Sequence, residues 1–195
     1  MNLEDVLKLK TPDDLWHYMH NNIKYCWTNK EGKEFPLNSP NMMAEYYIHS
    51  ASETCIRKSG ICLDQVVLEK TWFDYHGIEN HIITLGFIEN GFRVGGGHTF
   101  LYYFQNNNYY YFENAFVPAA NIVKFTSLDE LIGTAVAIYL LCTNNVSKID
   151  NIYITIDSNI KIGDNTQSNY TKTLNDQDVI SKYKDEIEKA IIKYQ

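Results

Sequence analysis

Residues 98–116 read HTFLYYFQNNNYYYFENAF. Two aromatic-rich runs joined by the polar QNNN leave room for little but an antiparallel hairpin, since asparagine tolerates the left-handed backbone that a tight turn needs. Upstream, HIITLGFI at residues 81–88 has the length and β-branched content of a buried strand. The middle of the chain is therefore a sheet of mostly antiparallel strands, and whatever else folds must cover it.

Helices supply the cover. Thr11, Pro12 and two acids open an amphipathic pattern over residues 11–26, with Leu15, Met19 and Ile23 recurring on one face. Residues 28–40 read as an exposed loop and residues 42–57 as a second helix. From 61 to 76, Leu63, Val66, Val67, Lys70 and Phe73 share a helical face, and Gly77 supplies the stop. Further on come a short strand at 121–125, a helix at 127–141 with Ser127 and Glu130 spaced as a capping box, a strand at 151–157, a polar stretch at 158–175 and a helix at 176–194. This order gives an α+β domain, divided here into a main unit of residues 1–145 and an extension, 146–195, packed on it.

Composition excludes several classes of function. The formal charge is −7, and no basic stripe offsets it, which argues against nucleic acid and anionic membrane as partners. The chain starts MNLEDVLKLK, unlike a secretion signal, and its longest apolar run, TAVAIYLLC, is too short to span a bilayer; a cytoplasmic location is expected. Two arginines, Arg57 and Arg93, stand against 15 lysines and 20 asparagines, a bias that reads as AT-rich coding in a low-GC bacterium or its phage. The four cysteines are scattered, so free thiols are expected, with no metal site and no cofactor.

One of those cysteines stands apart. In RKSGICLDQ, residues 57–65, Cys62 follows a glycine at a helix start, where unsatisfied backbone N–H groups and the helix dipole stabilise negative charge on sulfur. Buried filler is the plainer role of a cysteine, and it is the reading for Cys26, Cys55 and Cys142. A nucleophilic thiol needs a base, and the base needs an orienting partner. His98 follows three glycines, VGGGHTF, where bare backbone would admit a substrate chain, and it opens the hairpin. Across the hairpin lie Glu113 and Asn114. Strand pairing brings one of them opposite or diagonal to His98, and a one-residue slip of register exchanges them. The other five histidines read as surface or core residues.

The ordered set IRKSGICLDQVVLEKTWFDYHG, HIITLGFI, GGHTFLYYF and YYYFENAF resembles the transglutaminase-like cysteine-peptidase superfamily over residues 11–133, most strongly over 57–116. That family carries G-x-C-x-D at a helix start, a His opening a strand and an Asp on the next. The resemblance implies a papain-like, transglutaminase-like core, in which a nucleophile helix packs on the sheet and a C-terminal strand and helix are added. It puts Cys62, His98 and Glu113 on the catalytic positions, with Glu replacing the usual Asp, and makes Asp64 structural. The implied activity is hydrolysis of a peptide or amide through a thioester. Transfer to an amine, as in transglutaminases or arylamine N-acetyltransferases, and a non-catalytic peptide- or protein-binding module are the alternatives. The backbone N–H of Cys62 is the first oxyanion donor. A second is left open among Tyr46, Tyr47 and Trp27, because the place where papain-like enzymes carry a glutamine is Ile56 here.

Overall fold

A computed structural model describes residues 1–35, 45–89, 92–157, 160, 162–163 and 180–195. Two short helices, α1 (Leu3–Val6) and α2 (Pro12–Asn22), come first. Each begins with a reciprocal capping box, Asn2 with Asp5 and Thr11 with Asp14, so orphan N–H groups at both starts are satisfied from within the sequence. The expected exposed loop over 28–40 instead contains a two-stranded ribbon, β1 (Trp27–Thr28) paired with β2 (Glu34–Phe35). The helix expected over 42–57 is shorter. Residues 42–44 lie outside the described residues, 46–50 are not helical, and α3 (Ala51–Arg57) starts where Ser50 accepts from the Glu53 N–H. A serine cap is a stronger local signal than the weak periodicity before it.

The following helix, α4 (Cys62–Tyr75), ends at Gly77, which takes the left-handed conformation (φ 66°). It is buried on almost every side, so no single apolar stripe defines it. Lys70 does not share a core face with Leu63 and Val66, as its periodicity suggested; its amine turns to Asp74 (3.1 Å) and Asn80 (3.4 Å). The helix is anchored on the sheet by Phe73, stacked on Tyr103 (4.7 Å between ring centroids) and edge-on to Phe112 (5.4 Å). Burying a ring of that size contributes about 2 kcal/mol.

The sheet has five antiparallel strands in the order β6-β5-β4-β3-β7: β3 (Asn80–Glu89), β4 (Phe92–Gln105), β5 (Asn108–Glu113), β6 (Asn121–Phe125) and β7 (Ile152–Ile156). The β4–β5 hairpin turns on Asn106 and Asn107, both left-handed (φ 52° and 58°), between the paired Gln105 and Asn108. That two-residue turn sets the register Leu101↔Phe112 and Tyr102↔Tyr111. The triglycine lies inside β4. Register steps from Gly86↔Gly97 to Phe87↔Val94, so Gly95 and Gly96 form a bulge just before His98.

One face of the sheet carries Ile82, Leu101, Tyr103 and Phe112, covered by α2, α3 and α4. The other carries Ile83, Leu85, Phe100, Tyr102 and Tyr111, covered by α5 (Leu128–Cys142) and α6 (Ile180–Tyr194). Ser127 caps α5 by accepting from the Glu130 N–H (3.1 Å). The two outer helices cross closely: a Cβ on Gly133 would lie 2.6 Å from the Cβ of Glu186 and 2.8 Å from its carbonyl carbon. Residues 176–179 of the expected last helix lie outside the described residues. Among the described residues, no helix is long and apolar enough to cross a membrane.

Candidate active site

Cys62 is the first residue of α4, and the sequence around it builds that start. Ile61, the residue before, has no capping side chain; Asp64 reaches back instead and accepts from the Ile61 N–H (2.8 Å). Asp64 also accepts from the His49 N–H (2.8 Å) and from the Tyr46 hydroxyl. It is fully buried, and burial raises its pKa to about 7 although the two backbone N–H groups pull the other way. Asp64 thus ties the residue before the thiol to the 46–49 segment. The Nδ1 of His49 sits 3.3 Å from Asp64 Oδ1, off the line of a hydrogen bond, and burial lowers the His49 pKa.

Gly60 has a different role from the one its place suggests. The left-handed residue at this turn is Lys58 (φ 54°), while a Cβ on Gly60 would lie 2.5 Å from the Asp64 Cβ. Glycine is there to let Asp64 fold back.

His98 and Glu113 meet on one face of the sheet. With Tyr102 opposite Tyr111, alternation puts residues 98, 100 and 102 on the same side as 111 and 113. Glu113 is therefore diagonal to His98, and the imidazole Nε2 hydrogen-bonds to Glu113 Oε2. The carboxylate is itself held: Oε1 accepts from the Phe116 N–H (2.8 Å), Oε2 from the Tyr111 hydroxyl (3.4 Å), and the Glu113 carbonyl from Trp16 Nε1 (2.8 Å). Asn114 falls on the opposite face. Its amide donates to Gln65 Oε1 (2.6 Å), and Gln65 donates to the Gly60 carbonyl (3.0 Å), so Asn114 braces the start of α4 instead of orienting the imidazole. The Asn114 Oδ1 is buried without a partner among the described residues.

Nε2 is taken by Glu113, and Cys62 lies close enough to His98 to favour the protonated imidazole. Burial alone would push the imidazole pKa down. The Glu113 charge, with the hydrogen bond that Glu113 accepts and the nearby Cys62, outweighs it and raises the pKa to about 10, so the imidazolium is the resting form at neutral pH.

Aromatic side chains enclose the pair. Tyr139 of α5 stacks on His98 (5.8 Å, 9° between planes), and Phe116 tilts against both rings (5.4 and 5.5 Å). Burial, with the nearby Cys62, pushes the Tyr139 pKa up to about 12. A second carboxyl, Glu69, lies two turns along α4 from the thiol. It is buried, and that burial raises its pKa well above the usual range. A cavity of about 220 Å³ between β5, β6 and α5 touches the site only from behind, through Tyr111; Cys62 is not on its wall.

Of the three side chains considered as second oxyanion donors, Tyr46 is committed to Asp64. Tyr47 faces Gly163 and His49, and Trp27 packs edge-on to Tyr46 (4.9 Å) within the apolar cluster that includes Cys62. Cys26 and Cys55 are buried, Cys142 is exposed rather than core, and all are free. Among the described residues, no group of three or more His, Cys, Asp or Glu is placed to hold a metal ion.

A thiol at a helix start, an imidazole on the sheet and a carboxylate on the next strand form one connected constellation. The family model described as a transglutaminase-like domain matches residues 2–139, and the chain belongs to that family. No curated protein matches the chain.

Proposed function

We propose that the chain is a cysteine hydrolase of papain-like core that cleaves a peptide or amide bond through a Cys62-His98-Glu113 triad. The observation that carries this reading is the buried imidazole hydrogen-bonded to Glu113, with Cys62 close enough to favour its protonated form. The Cys62 sulfur attacks the carbonyl carbon, and the C–N bond breaks as His98 gives its proton to the departing amine. Water, deprotonated by His98, then cleaves the thioester and restores the thiol. Glu113 keeps the imidazole oriented and stabilises its cationic form. The catalytic unit is residues 1–145, completed by 146–195, and the reaction needs only these side chains, water and a peptide or protein substrate. Free thiols suit the reducing cytoplasm.

The test is alkylation by iodoacetamide across pH, with labelled cysteines located by mass spectrometry. Cys62 labelling persists at pH 6, where that of exposed Cys142 fades, and His98→Ala lowers it about 100-fold there. Labelling at Cys62 that follows the pH dependence of Cys142 and ignores His98→Ala overturns the reading. Cys62→Ala abolishes turnover with a stability change within about 1 kcal/mol.

A further inference from the structure

The backbone leading into Cys62 is held more tightly than a helix start requires. Two peptide groups precede the thiol, one joining Gly60 to Ile61 and one joining Ile61 to Cys62, and each presents a carbonyl and an N–H. The Gly60 carbonyl accepts from Gln65 Nε2 (3.0 Å), and the Ile61 N–H donates to Asp64 Oδ2 (2.8 Å). The Ile61 carbonyl accepts from the Gln65 backbone N–H (3.0 Å). Only the Cys62 N–H remains. As the first residue of α4 it has no intrahelical partner, and no hydrogen bond takes it among the described residues. In a planar trans peptide the N–H points opposite to the carbonyl, so bonds that pin the two planes also aim the Cys62 N–H.

An ordinary capped start supplies the bonds from Asp64 and from the Gln65 backbone. The Gln65 side chain is the addition, and it is itself held. Gln65 is 1% exposed and Asn114 6%. A carbonyl can meet only the NH2 end of Gln65, so Oε1 turns to Asn114, which must offer its own NH2 (2.6 Å). The direction of this chain of amides is therefore dictated by the Gly60 carbonyl, and it leaves Asn114 Oδ1 buried without a partner among the described residues. Asn114 directly follows Glu113, the last residue of β5, so the chain runs from the strand that carries the acid to the loop that carries the thiol.

We infer that Gln65 is a positioning residue for the reaction: by holding the Gly60 carbonyl, with its amide oriented by Asn114, it aims the Cys62 N–H at the point where the substrate's carbonyl oxygen becomes negative. That an acyl group is attacked there rests on the function proposed above; the pinning of the two peptide planes rests on the hydrogen bonds alone. A donor stabilises an oxyanion best when it is aimed before the charge appears. Losing that aim slows acylation without touching the imidazole and carboxylate that activate the thiol.

Two reagents that meet the same sulfur test this in the full chain. p-Nitrophenyl acetate acetylates Cys62 through a tetrahedral oxyanion and expels p-nitrophenolate; iodoacetamide alkylates it by displacing iodide, with no oxyanion. Both adducts are located by mass spectrometry. Gln65→Met keeps the length of the side chain without its hydrogen bonds, and lowers the ratio of acetylation to alkylation at Cys62 about ten-fold, with the pH profile of alkylation unchanged. Asn114→Ala, one bond further away, lowers the ratio by less. Labelling of the buried Cys26 and Cys55 reports any loosening of the fold; if Gln65→Met exposes them, Asn114→Ala decides by the same ratio. A ratio equal to wild type in Gln65→Met, or in Asn114→Ala where that variant decides, overturns the role of Gln65. The triad is read separately, from the pH profile of wild-type alkylation and its response to His98→Ala, so the two ideas fail by different results.

Discussion

Among the described residues, two imidazoles hydrogen-bond to a carboxylate and stack on a tyrosine ring. His98 on β4 meets Glu113 and stacks on Tyr139; His81 on β3 meets Asp157 (2.9 Å) and stacks on Tyr102 (5.0 Å, 22°). The chemical groups are nearly the same, but their surroundings are not. The side chains of His98 and Glu113 are 7% and 2% exposed, those of His81 and Asp157 29% and 63%. At the outer pair water screens the charges, and the interaction is worth little. At the inner pair the carboxylate acts through a low-dielectric interior and holds a proton on the imidazole beside a thiol. Burial, with a thiol nearby, sets the inner pair apart from the outer one.

Exchanging the acid is the strongest way to break this comparison. Glu113→Gln keeps the shape but removes the charge, and lowers turnover and Cys62 labelling at pH 6 about 100-fold or more. Asn114→Ala, acting only through Gln65 and the start of α4, costs less. Turnover that falls further in Asn114→Ala than in Glu113→Gln would assign the orienting role to the amide.

Stability against pH sharpens it next. His98 has a folded pKa of about 10, above its ordinary 6.5, so the native state keeps a proton that the unfolded chain releases between those values. The stability gained is fully present below pH 6.5 and is lost towards pH 10, by at most about 1.4 kcal/mol per pH unit. Asp64, raised from 3.8 to about 7, adds a loss of the same sign between those lower values. Thermal melts from pH 6.5 to 10 show the first slope, and Glu113→Gln flattens it. An unchanged slope in that variant removes Glu113 as its cause.

The smallest effect is expected at the surface. His81→Ala leaves turnover unchanged and shifts stability by no more than about 0.5 kcal/mol, measured by urea unfolding. A loss of activity there would mean that exposure does not separate the two pairs.

Much of the inner pair is legible without coordinates. His98 and Glu113 stand 15 residues apart around an asparagine turn, and helix-start chemistry marks Cys62. The choice between Glu113 and Asn114 is not legible until the turn is known to use Asn106 and Asn107 alone, because only then does alternation fix the faces. Long-range contacts are what the sequence hides. Tyr139 lies within TAVAIYLLC, which reads only as core. Gly60 invites an explanation from backbone freedom, yet its reason is the Asp64 side chain four residues later. The triglycine reads only as bare backbone before the hairpin, and its place as a bulge is decided by pairing with β3.

The close crossing of α5 and α6 at Gly133 has a consequence for how the protein comes into being. Synthesis delivers Cys62, His98 and Glu113 long before it delivers Ile180–Tyr194. Tyr139 lies on a helix that the sheet covers on one side, and Tyr183 and Ile187 share its core from the other. A nascent chain can therefore carry every side chain of the proposed triad while the wall behind its imidazole lacks the support of α6. A segment far along the chain from Cys62, His98 and Glu113 thus completes the wall behind the imidazole.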